Sequence, residues 1–278
     1  MTKREVRART ALLPLLLAVV AAGCAAPGTS QPTGPVFEHV HGLGEDPADG
    51  RVYVASHDGL FRSGPTGLVP AGAPGRDLMG FTIAGPGTYL SSGHPAPDDD
   101  LPDPIGLAES RDGGISWTPI SLTGEVDFHA LEVAGGTVFG YDATNGVLRA
   151  STDGGRSWED RSAVQALDIA AEPTDPTRVL ATVQGGVVTS TDGGRTFSTP
   201  AGPPLAYLSW GPDGTVHALD IDSTAFASTD GGSTWTSTGV VPGGRPQAVT
   251  AGADSVLVAT AGGVYRSADG GRTFAPIG

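Results

Sequence analysis

The sequence predicts an all-β propeller of six four-stranded blades, and two observations lead to this fold class. An octet of the form Ser-x-Asp-Gly-Gly-x-Ser/Thr-Trp/Phe occurs five times at intervals of 41, 39, 38 and 39 residues, with its aspartates at Asp112, Asp153, Asp192, Asp230 and Asp269. Short apolar runs surround the octets, in a chain with 43 glycines and 23 prolines. Short strands separated by turn-forming residues, repeating at about 40 residues, are typical of propeller blades.

The octet is predicted to form the turn between the third and fourth strands of a blade. In the copy around Asp153, the carboxylate can accept hydrogen bonds from backbone N–H groups of its own turn. The two glycines that follow can adopt a positive φ, where a side chain would clash. The closing ring of Trp158 can bury its large surface against a neighbouring sheet. Folding explains every feature of the octet, so we interpret the five aspartates as structural rather than catalytic.

The six blades follow one another from residue 39 onward. Their inner strands are predicted at 39–43, 77–83, 127–133, 165–170, 206–210 and 247–251. The turn of the first blade, at 64–67, is a degenerate octet that lacks the aspartate. Six blades account for the whole repeat region. One point stays open, which is whether residues 36–38 lead into the first blade or complete the last one.

The amino-terminal region has the features of an export signal. Basic residues precede an apolar segment at 11–22, and small residues follow it before Cys24, the only cysteine of the chain. This order is typical of a secretory signal, and the segment 21–24 (Ala-Ala-Gly-Cys) resembles a bacterial lipobox. An ordinary signal with an incidental thiol is the alternative. We expect a signal peptide at 1–23, a flexible tether at 24–35 that begins at a lipidated Cys24, and a propeller domain at 36–278.

Composition limits the partners of this domain. The formal net charge is −14, with 30 acidic and 16 basic residues. An acidic surface repels phosphate backbones, so we expect no nucleic-acid partner. We expect a monomer held at the outer side of the bacterial cytoplasmic membrane by its lipid anchor, with a glycan or a protein as its ligand.

Histidines are concentrated on one face of the predicted propeller. The inner strands and the loops after the second strands of blades one to three carry a set of potential ligands: His39, His41, His57, Asp77, Met79, His94, Asp127 and His129. Imidazole, carboxylate and thioether groups that converge can bind a transition metal. Histidine with methionine would suit copper, and histidine with aspartate would suit zinc or manganese. The alternative is that each histidine is an isolated polar group at a strand end.

The octet resembles the Asp-box, or bacterial neuraminidase repeat, of the sialidase and sortilin-like propellers. The segments HVHGL, DLMGF and DFHAL also resemble those of bacterial lipoprotein propellers that carry the generic label glycosylhydrolase-like. The resemblance implies a propeller whose Asp-box turns lie on the face opposite the ligand site, with exo-glycosidase activity as a candidate. Sialidases bind a sugar carboxylate with three arginines. Here Arg62, Arg149 and Arg266 share one strand position in their blades, so the repeat itself accounts for them.

Three functions stay open from the sequence. The first is binding of a ligand or transition metal on the histidine-rich face. The second is a glycosidase or a metal-dependent hydrolase, with Glu125 and Asp127 as the candidate catalytic acids, because glycoside hydrolysis needs two carboxyl groups. The third is a scaffold that assists the assembly of membrane complexes.

Overall fold

The computed structural model describes residues 37–72 and 75–277. These residues form 23 strands and no helix. No helix capable of crossing a membrane is therefore found in this part of the chain. The predicted signal peptide, Cys24 and the tether lie outside the described residues, so those three remain predictions.

The strands form six antiparallel sheets, each built from consecutive strands. Blades one and two comprise β1 (Val40–Glu45), β2 (Val52–Ser56), β3 (Gly59–Gly64), β4 (Gly67–Pro70), β5 (Asp77–Gly85), β6 (Thr88–His94), β7 (Leu107–Ser110) and β8 (Thr118–Ser121). Blades three and four comprise β9 (Phe128–Ala134), β10 (Thr137–Asp142), β11 (Val147–Ser151), β12 (Glu159–Ala163), β13 (Ala166–Glu172), β14 (Asp175–Val183) and β15 (Gly186–Ser190). Blades five and six comprise β16 (Leu205–Trp210), β17 (Val216–Asp220), β18 (Thr224–Ser228), β19 (Thr236–Val240), β20 (Pro246–Ala251), β21 (Val256–Thr260), β22 (Gly263–Ser267) and β23 (Ala275–Pro276).

The first strand of every blade packs beside the first strands of its neighbours, in a ring that closes from β20 back to β1. These six strands surround a central channel. The predicted six-bladed propeller is therefore confirmed, and the octet turns lie after the third strand of their blades, as the repeat indicated.

Blade four differs from the others because its sheet has only three strands. The segment that follows its turn is held by one isolated bridge, between Val187 and Ala201, and by a hydrogen bond from Ser198 N–H to the Thr189 carbonyl at 2.9 Å. Pro200 has no N–H to donate, so it interrupts the pairing that would make a regular fourth strand.

Six clusters of buried apolar side chains hold the propeller together, one at each junction between neighbouring blades. At the first junction, for example, Tyr53 and Ala55 of blade one meet Leu78, Phe81 and Tyr89 of blade two. Full burial of a large apolar side chain contributes about 1.5–3 kcal/mol. Each blade buries both faces of its sheet in this way, so neighbouring blades stabilise one another.

Asp153 illustrates how the octet forms its turn. Its carboxylate accepts hydrogen bonds from the N–H groups of Arg156 at 3.0 Å and Ser157 at 2.9 Å, and from the Ser157 hydroxyl at 2.6 Å. Ser151 donates to the same carboxylate at 2.7 Å. These bonds, led by that of the Ser157 hydroxyl, lower the pKa of Asp153. The hydrogen bond from the backbone N–H four residues after the aspartate recurs at Asp112, Asp192, Asp230 and Asp269.

The aromatic ring that closes each octet packs toward the preceding blade. Trp158 of blade three joins the cluster between blades two and three, and its indole N–H donates to the Ser121 hydroxyl at 3.0 Å. The equivalent junctions contain Trp117, Phe197, Trp235 and Phe274. Blade one lacks a complete octet. At its junction with blade six, Phe37 packs edge-on against Phe61, with 4.7 Å between the ring centroids.

Within the described residues, the ring closes between blades six and one without exchange of a strand. The Gln247 side chain accepts a hydrogen bond from Val40 N–H at 3.2 Å and donates one to the Glu38 carbonyl at 3.0 Å. The Thr250 hydroxyl donates to the Leu43 carbonyl at 2.5 Å. Residues 37 and 38 therefore lead into blade one and do not complete blade six.

Asp46, in the turn after β1, joins blade one to blade two. It lies near the surface, but the neighbouring hairpin covers it and leaves 2% of it accessible. Its carboxylate accepts hydrogen bonds from the Tyr89 hydroxyl at 2.6 Å, from Gly87 N–H at 3.1 Å and from Ala48 N–H at 2.8 Å. Burial opposes ionisation, but these hydrogen bonds outweigh it and hold the pKa of Asp46 below its ordinary value.

Candidate functional site

Three histidines and an aspartate converge at one end of the central channel. His41 lies in β1, His57 follows β2 and Asp77 begins β5. The Nε2 atoms of His41 and His57 are 3.3 Å apart, and His57 Nδ1 is 2.7 Å from Asp77 Oδ2. One potential ligand atom from each of the three residues lies within 4.8 Å of the others. We call His41, His57 and Asp77 the first cluster. The ring of His39 lies beside it, 5.2 Å from that of His57.

The contact with Asp77 determines where His57 carries its proton. A carboxylate accepts hydrogen bonds, so Nδ1 of His57 is the protonated nitrogen, and Nε2 of the neutral ring has a free lone pair on the side of His41. The second oxygen of Asp77, Oδ1, is buried and has no hydrogen-bond partner in the described part of the chain. Buried oxygens without a partner are rare and costly. This atom is therefore open to a ligand.

The surroundings of His41 keep its ring uncharged. Burial disfavours the protonated form and the neighbouring His57 would repel it, so the pKa of His41 falls to about 4 even though Asp77 acts in the opposite direction. Metals bind the neutral imidazole, and at ordinary pH no proton has to be displaced from the charged form of this ring. His41 is therefore ready to act as a ligand over the whole physiological range.

We expect His41 to stay neutral down to about pH 4, whereas an unperturbed histidine titrates near pH 6.5. Between these values the unfolded chain binds the proton and the folded chain does not. The contribution of His41 to stability should therefore fall by about 2–3 kcal/mol as the pH decreases through this window. An NMR titration of the ring measures the midpoint, and His57→Ala should raise it by removing the repulsion. A native midpoint near 6.5 would contradict this account.

A second cluster lies next to the first and contains His94, Asp103, Asp127 and His129. His129 Nε2 donates to Asp127 Oδ2 at 2.8 Å, and His94 Nε2 lies 3.7 Å from the same oxygen. Asp103 accepts a hydrogen bond from His94 Nδ1 at 2.6 Å, and this bond is the main cause of the raised pKa of His94. The other oxygen of Asp127 is buried and, like that of Asp77, lacks a partner among the described residues.

The remaining predicted residues lie in different surroundings. Met79 is half-buried in β5, two residues along the strand from Asp77. Of the two candidate catalytic acids, Glu125 is exposed, whereas Asp127 is buried and bonded to His129.

Two of the three arginines considered for a sialidase site form ion pairs with acidic residues of the propeller. Arg149 pairs with Asp142 at 3.3 Å, and Arg266 pairs with Glu45 at 2.6 Å. These ion pairs fit the interpretation that the repeat accounts for the shared position of the arginines.

The central channel contains two acids that sequence reasoning missed. A cavity of about 250 Å³ extends from the first cluster into the channel, with polar groups from His41, His129, Glu132, Asp168 and Tyr207 in its wall. Enclosure by the protein raises the pKa of Asp168 to about 7, although backbone N–H groups partly offset it. Enclosure and the charge of Asp168 raise the pKa of Glu132 to about 8. Asp168 ionises first, so its charge acts on Glu132 rather than the reverse.

The fold is shared with solved structures, although no protein-family model and no curated protein matches the chain. A GH74 enzyme from Niastella koreensis is 18% identical with a TM-score of 0.57, over 86% of this chain and 37% of that one. Virginiamycin B lyase from Staphylococcus aureus is 15% identical with a TM-score of 0.56, over 86% of this chain and 84% of that one. YCF48 bound to D1 peptide is 16% identical with a TM-score of 0.51, over 87% of this chain and 81% of that one. At such identities the likeness shows the fold alone, and the chain spans less than two fifths of the GH74 enzyme.

Proposed function

We propose that this protein is a lipid-anchored, extracytoplasmic propeller that binds a transition metal at the mouth of its central channel, in the first cluster. The observation that carries the proposal is the convergence of His41, His57 and Asp77, with ligand atoms within 4.8 Å of one another. Two imidazoles and a carboxylate are a donor set that zinc takes in proteins. The anchor rests on the sequence before and at Cys24.

The spacing of the two imidazoles supports zinc in particular. Two nitrogens bound to one tetrahedral zinc at about 2.0–2.1 Å lie about 3.3–3.4 Å from each other. The Nε2 atoms of His41 and His57 are 3.3 Å apart. One zinc ion can therefore bridge both rings with little rearrangement, once His41 holds its proton on Nδ1. His39, water or a released Asp77 can supply the two remaining ligands.

Asp77 supports the same site in two ways. Its Oδ2 holds the proton of His57 on Nδ1, which orients the ring and increases its basicity, as carboxylates commonly do behind metal-bound histidines. While Oδ2 keeps this bond, Oδ1 cannot also reach a zinc ion bound at Nε2, on the far side of the same ring. Asp77 becomes a direct ligand only when it leaves His57, and its Oδ1, which is buried without a partner in the described residues, is then available to the ion.

The test is a calorimetric titration of the full chain with zinc, checked by elemental analysis. We expect one equivalent, and we expect His41→Ala and His57→Ala each to weaken binding by at least about 100-fold, since each removes a ligand. Asp77→Asn should weaken it by about 10–100-fold. His217→Asn, in β17 of blade five, is the matched control and should leave zinc affinity unchanged.

Copper and manganese are titrated in the same way to identify the preferred ion. Absence of stoichiometric binding of zinc, copper or manganese to the native protein would refute the proposed function. Unchanged zinc affinity in both histidine variants, with native thermal unfolding, would refute the location.

A glycosidase is the second candidate function. The observation that favours it is the structural likeness to GH74 enzymes, one of which is described as a xyloglucanase; membership of the Asp-box propellers, inferred from the octets, points in the same direction. The test is release of reducing sugar from xyloglucan and from sialylated glycans. Loss of any such activity in Asp127→Asn, with zinc binding retained, would separate this candidate from the first.

An assembly scaffold would instead capture protein partners regardless of the histidine variants.

A further inference from the structure

The central channel continues past the first cavity to the opposite side of the propeller. A second cavity, of about 480 Å³, begins where the first one ends. The two cavities share part of their walls, formed by Leu43, Phe81, Leu131, Glu132 and Thr250. Glu132 is the only ionisable side chain in this shared set. It therefore lies where the two halves of the channel meet.

Glu132 has no visible partner for its carboxyl group. No hydrogen bond or ion pair within the described ranges involves its side chain, although the protein encloses it and its accessible surface faces the channel. Glu132 is half-buried, and its carboxyl oxygens keep accessible surface toward the channel. Because no group of the described residues completes them, water or an ion in the cavity must do so.

Asp168 faces the same cavity from the neighbouring blade. Its Oδ1 accepts a hydrogen bond from Ile169 N–H at 2.9 Å, and its Oδ2 accepts one from Leu208 N–H at 3.0 Å. These bonds fix the carboxylate and leave each oxygen with further acceptor capacity. The cavity wall also contains Tyr207 of β16 and Gln247 of β20. Among the described residues, no lysine or arginine belongs to the wall of this first cavity. Arg266 lines the second cavity, where it is paired with Glu45.

We propose that this cavity is a second cation site, in which Glu132 and Asp168 bind a divalent ion that prefers oxygen ligands, such as calcium. Carboxylates with hydroxyl, carbonyl and water oxygens are the ligands of calcium, magnesium and manganese, whereas imidazole suits zinc and copper. The two ends of one channel segment thus select different ions. A divalent cation would supply the positive charge that the wall lacks.

The protonation of the pair is consistent with this site. Enclosure by the protein raises the pKa of both acids, so each favours its uncharged form near neutral pH when no cation is present. The histidines His39, His41 and His129 also line the cavity, but His41 is neutral above pH 4 and His129 is bonded to Asp127. Calcium would therefore have to displace a proton from Glu132 near neutral pH.

The test is a calorimetric titration of the full, zinc-loaded chain with calcium at pH 8. We expect one equivalent to bind, and we expect Glu132→Gln to weaken binding by at least about tenfold by removing a charged ligand. Glu132 makes no hydrogen bond with the described residues, so the glutamine variant should fold normally. Glu125→Gln, which changes an exposed glutamate outside the channel, is the matched control and should bind like the native chain. Absence of calcium binding in the native chain, or equal affinity in Glu132→Gln, would overturn the proposal.

The pH dependence of binding provides an independent readout. Calcium affinity should rise by up to about tenfold per pH unit between pH 7 and 8, where Glu132 holds the one proton to be displaced, and more steeply below pH 7, where Asp168 holds one as well. Titrations in buffers of different ionisation enthalpy should report that proton, and should no longer report it in Glu132→Gln. Retention of calcium binding in His41→Ala and His57→Ala would show that this site is independent of the proposed zinc site. A pH-independent affinity over this range would contradict binding at Glu132.

Discussion

Glutamine in place of Glu132 is expected to stabilise the metal-free protein by about 2–4 kcal/mol at pH 8.5, with almost no effect near pH 5. The physical reason is linkage between protonation and folding. In the folded chain Glu132 keeps its proton up to about pH 8, whereas its ordinary pKa is 4.5. One pKa unit corresponds to about 1.4 kcal/mol, and we reduce the full value because water reaches the cavity.

The sign follows from which state holds the proton. Below pH 4.5 both states are protonated and Glu132 imposes no cost. As the pH rises, the unfolded chain releases its proton first, so the folded state becomes less favourable until the pH passes the folded pKa of about 8. A glutamine cannot ionise and avoids this loss. The native protein should therefore lose stability toward alkaline pH in a way that the variant does not.

Urea unfolding of the metal-free protein at pH 5, 7 and 8.5 measures this difference. Glu125→Gln serves again as the control and should follow the native curve at each pH. Equal stability of the native chain and Glu132→Gln at pH 8.5 would mean that Glu132 is already ionised or compensated there. Addition of calcium should close the gap by stabilising the native chain alone, since a ligand that binds the folded state raises its stability.

Alanine in place of Asp46 is expected to destabilise the protein by about 3–5 kcal/mol. Hydrogen bonds to a charged acceptor contribute about 1.5–3 kcal/mol each, and a buried donor left without an acceptor adds a further cost. The substitution leaves the Tyr89 hydroxyl, which is buried, and Gly87 N–H without their shared acceptor. It also removes the polar link between the first two blades, next to the apolar cluster that joins them.

Thermal and urea unfolding test this prediction, with Asp222→Ala as the control. Asp222 is exposed in the turn after β17, and its side chain forms no hydrogen bond or ion pair with the described residues, so its removal should change stability by less than about 1 kcal/mol. Asp46→Asn should fall between the two, because the amide keeps one oxygen acceptor. A loss below 1 kcal/mol for Asp46→Ala would show that water replaces the carboxylate at this junction.

The repeat made the fold predictable, because each octet specifies its own turn and the closing ring of that turn belongs to a junction between blades. In the octet at 151–158, Asp153 accepts the hydrogen bonds of the turn and Trp158 packs at the junction between blades two and three. The reduced blade four was harder to predict. The octet of blade four has the same spacing as the others, so the repeat gives no sign of a missing strand. The loss of regular pairing after β15 depends on Pro200 and on which backbone groups remain to be bonded.

The convergence of histidines was predictable because inner strands and the loops after second strands meet at the same end of a propeller. The division into two clusters was not, since it depends on which carboxylate each ring reaches. His57 reaches Asp77 from the adjacent blade, whereas His94 reaches Asp103 in its own loop. Sequence reasoning also passed over Glu132 and Asp168. A charged residue inside the apolar inner strands β9 and β13 was the available signal, because those strands face the channel.

Each blade is one uninterrupted stretch of chain, and over residues 37–72 and 75–277 the ring closes by side-chain hydrogen bonds and apolar contacts without an exchanged strand. This feature bears on how such a protein can evolve. A whole repeat unit can be duplicated or deleted without cutting any sheet, and only the affected junctions then need repacking. The junction between blades six and one, where Phe37 packs against Phe61 in place of the ring of an octet, is already adapted differently from the other five. Blade number can therefore change by duplication or deletion of one repeat. Loss of blade one or blade two would divide the first cluster, because its residues come from both blades.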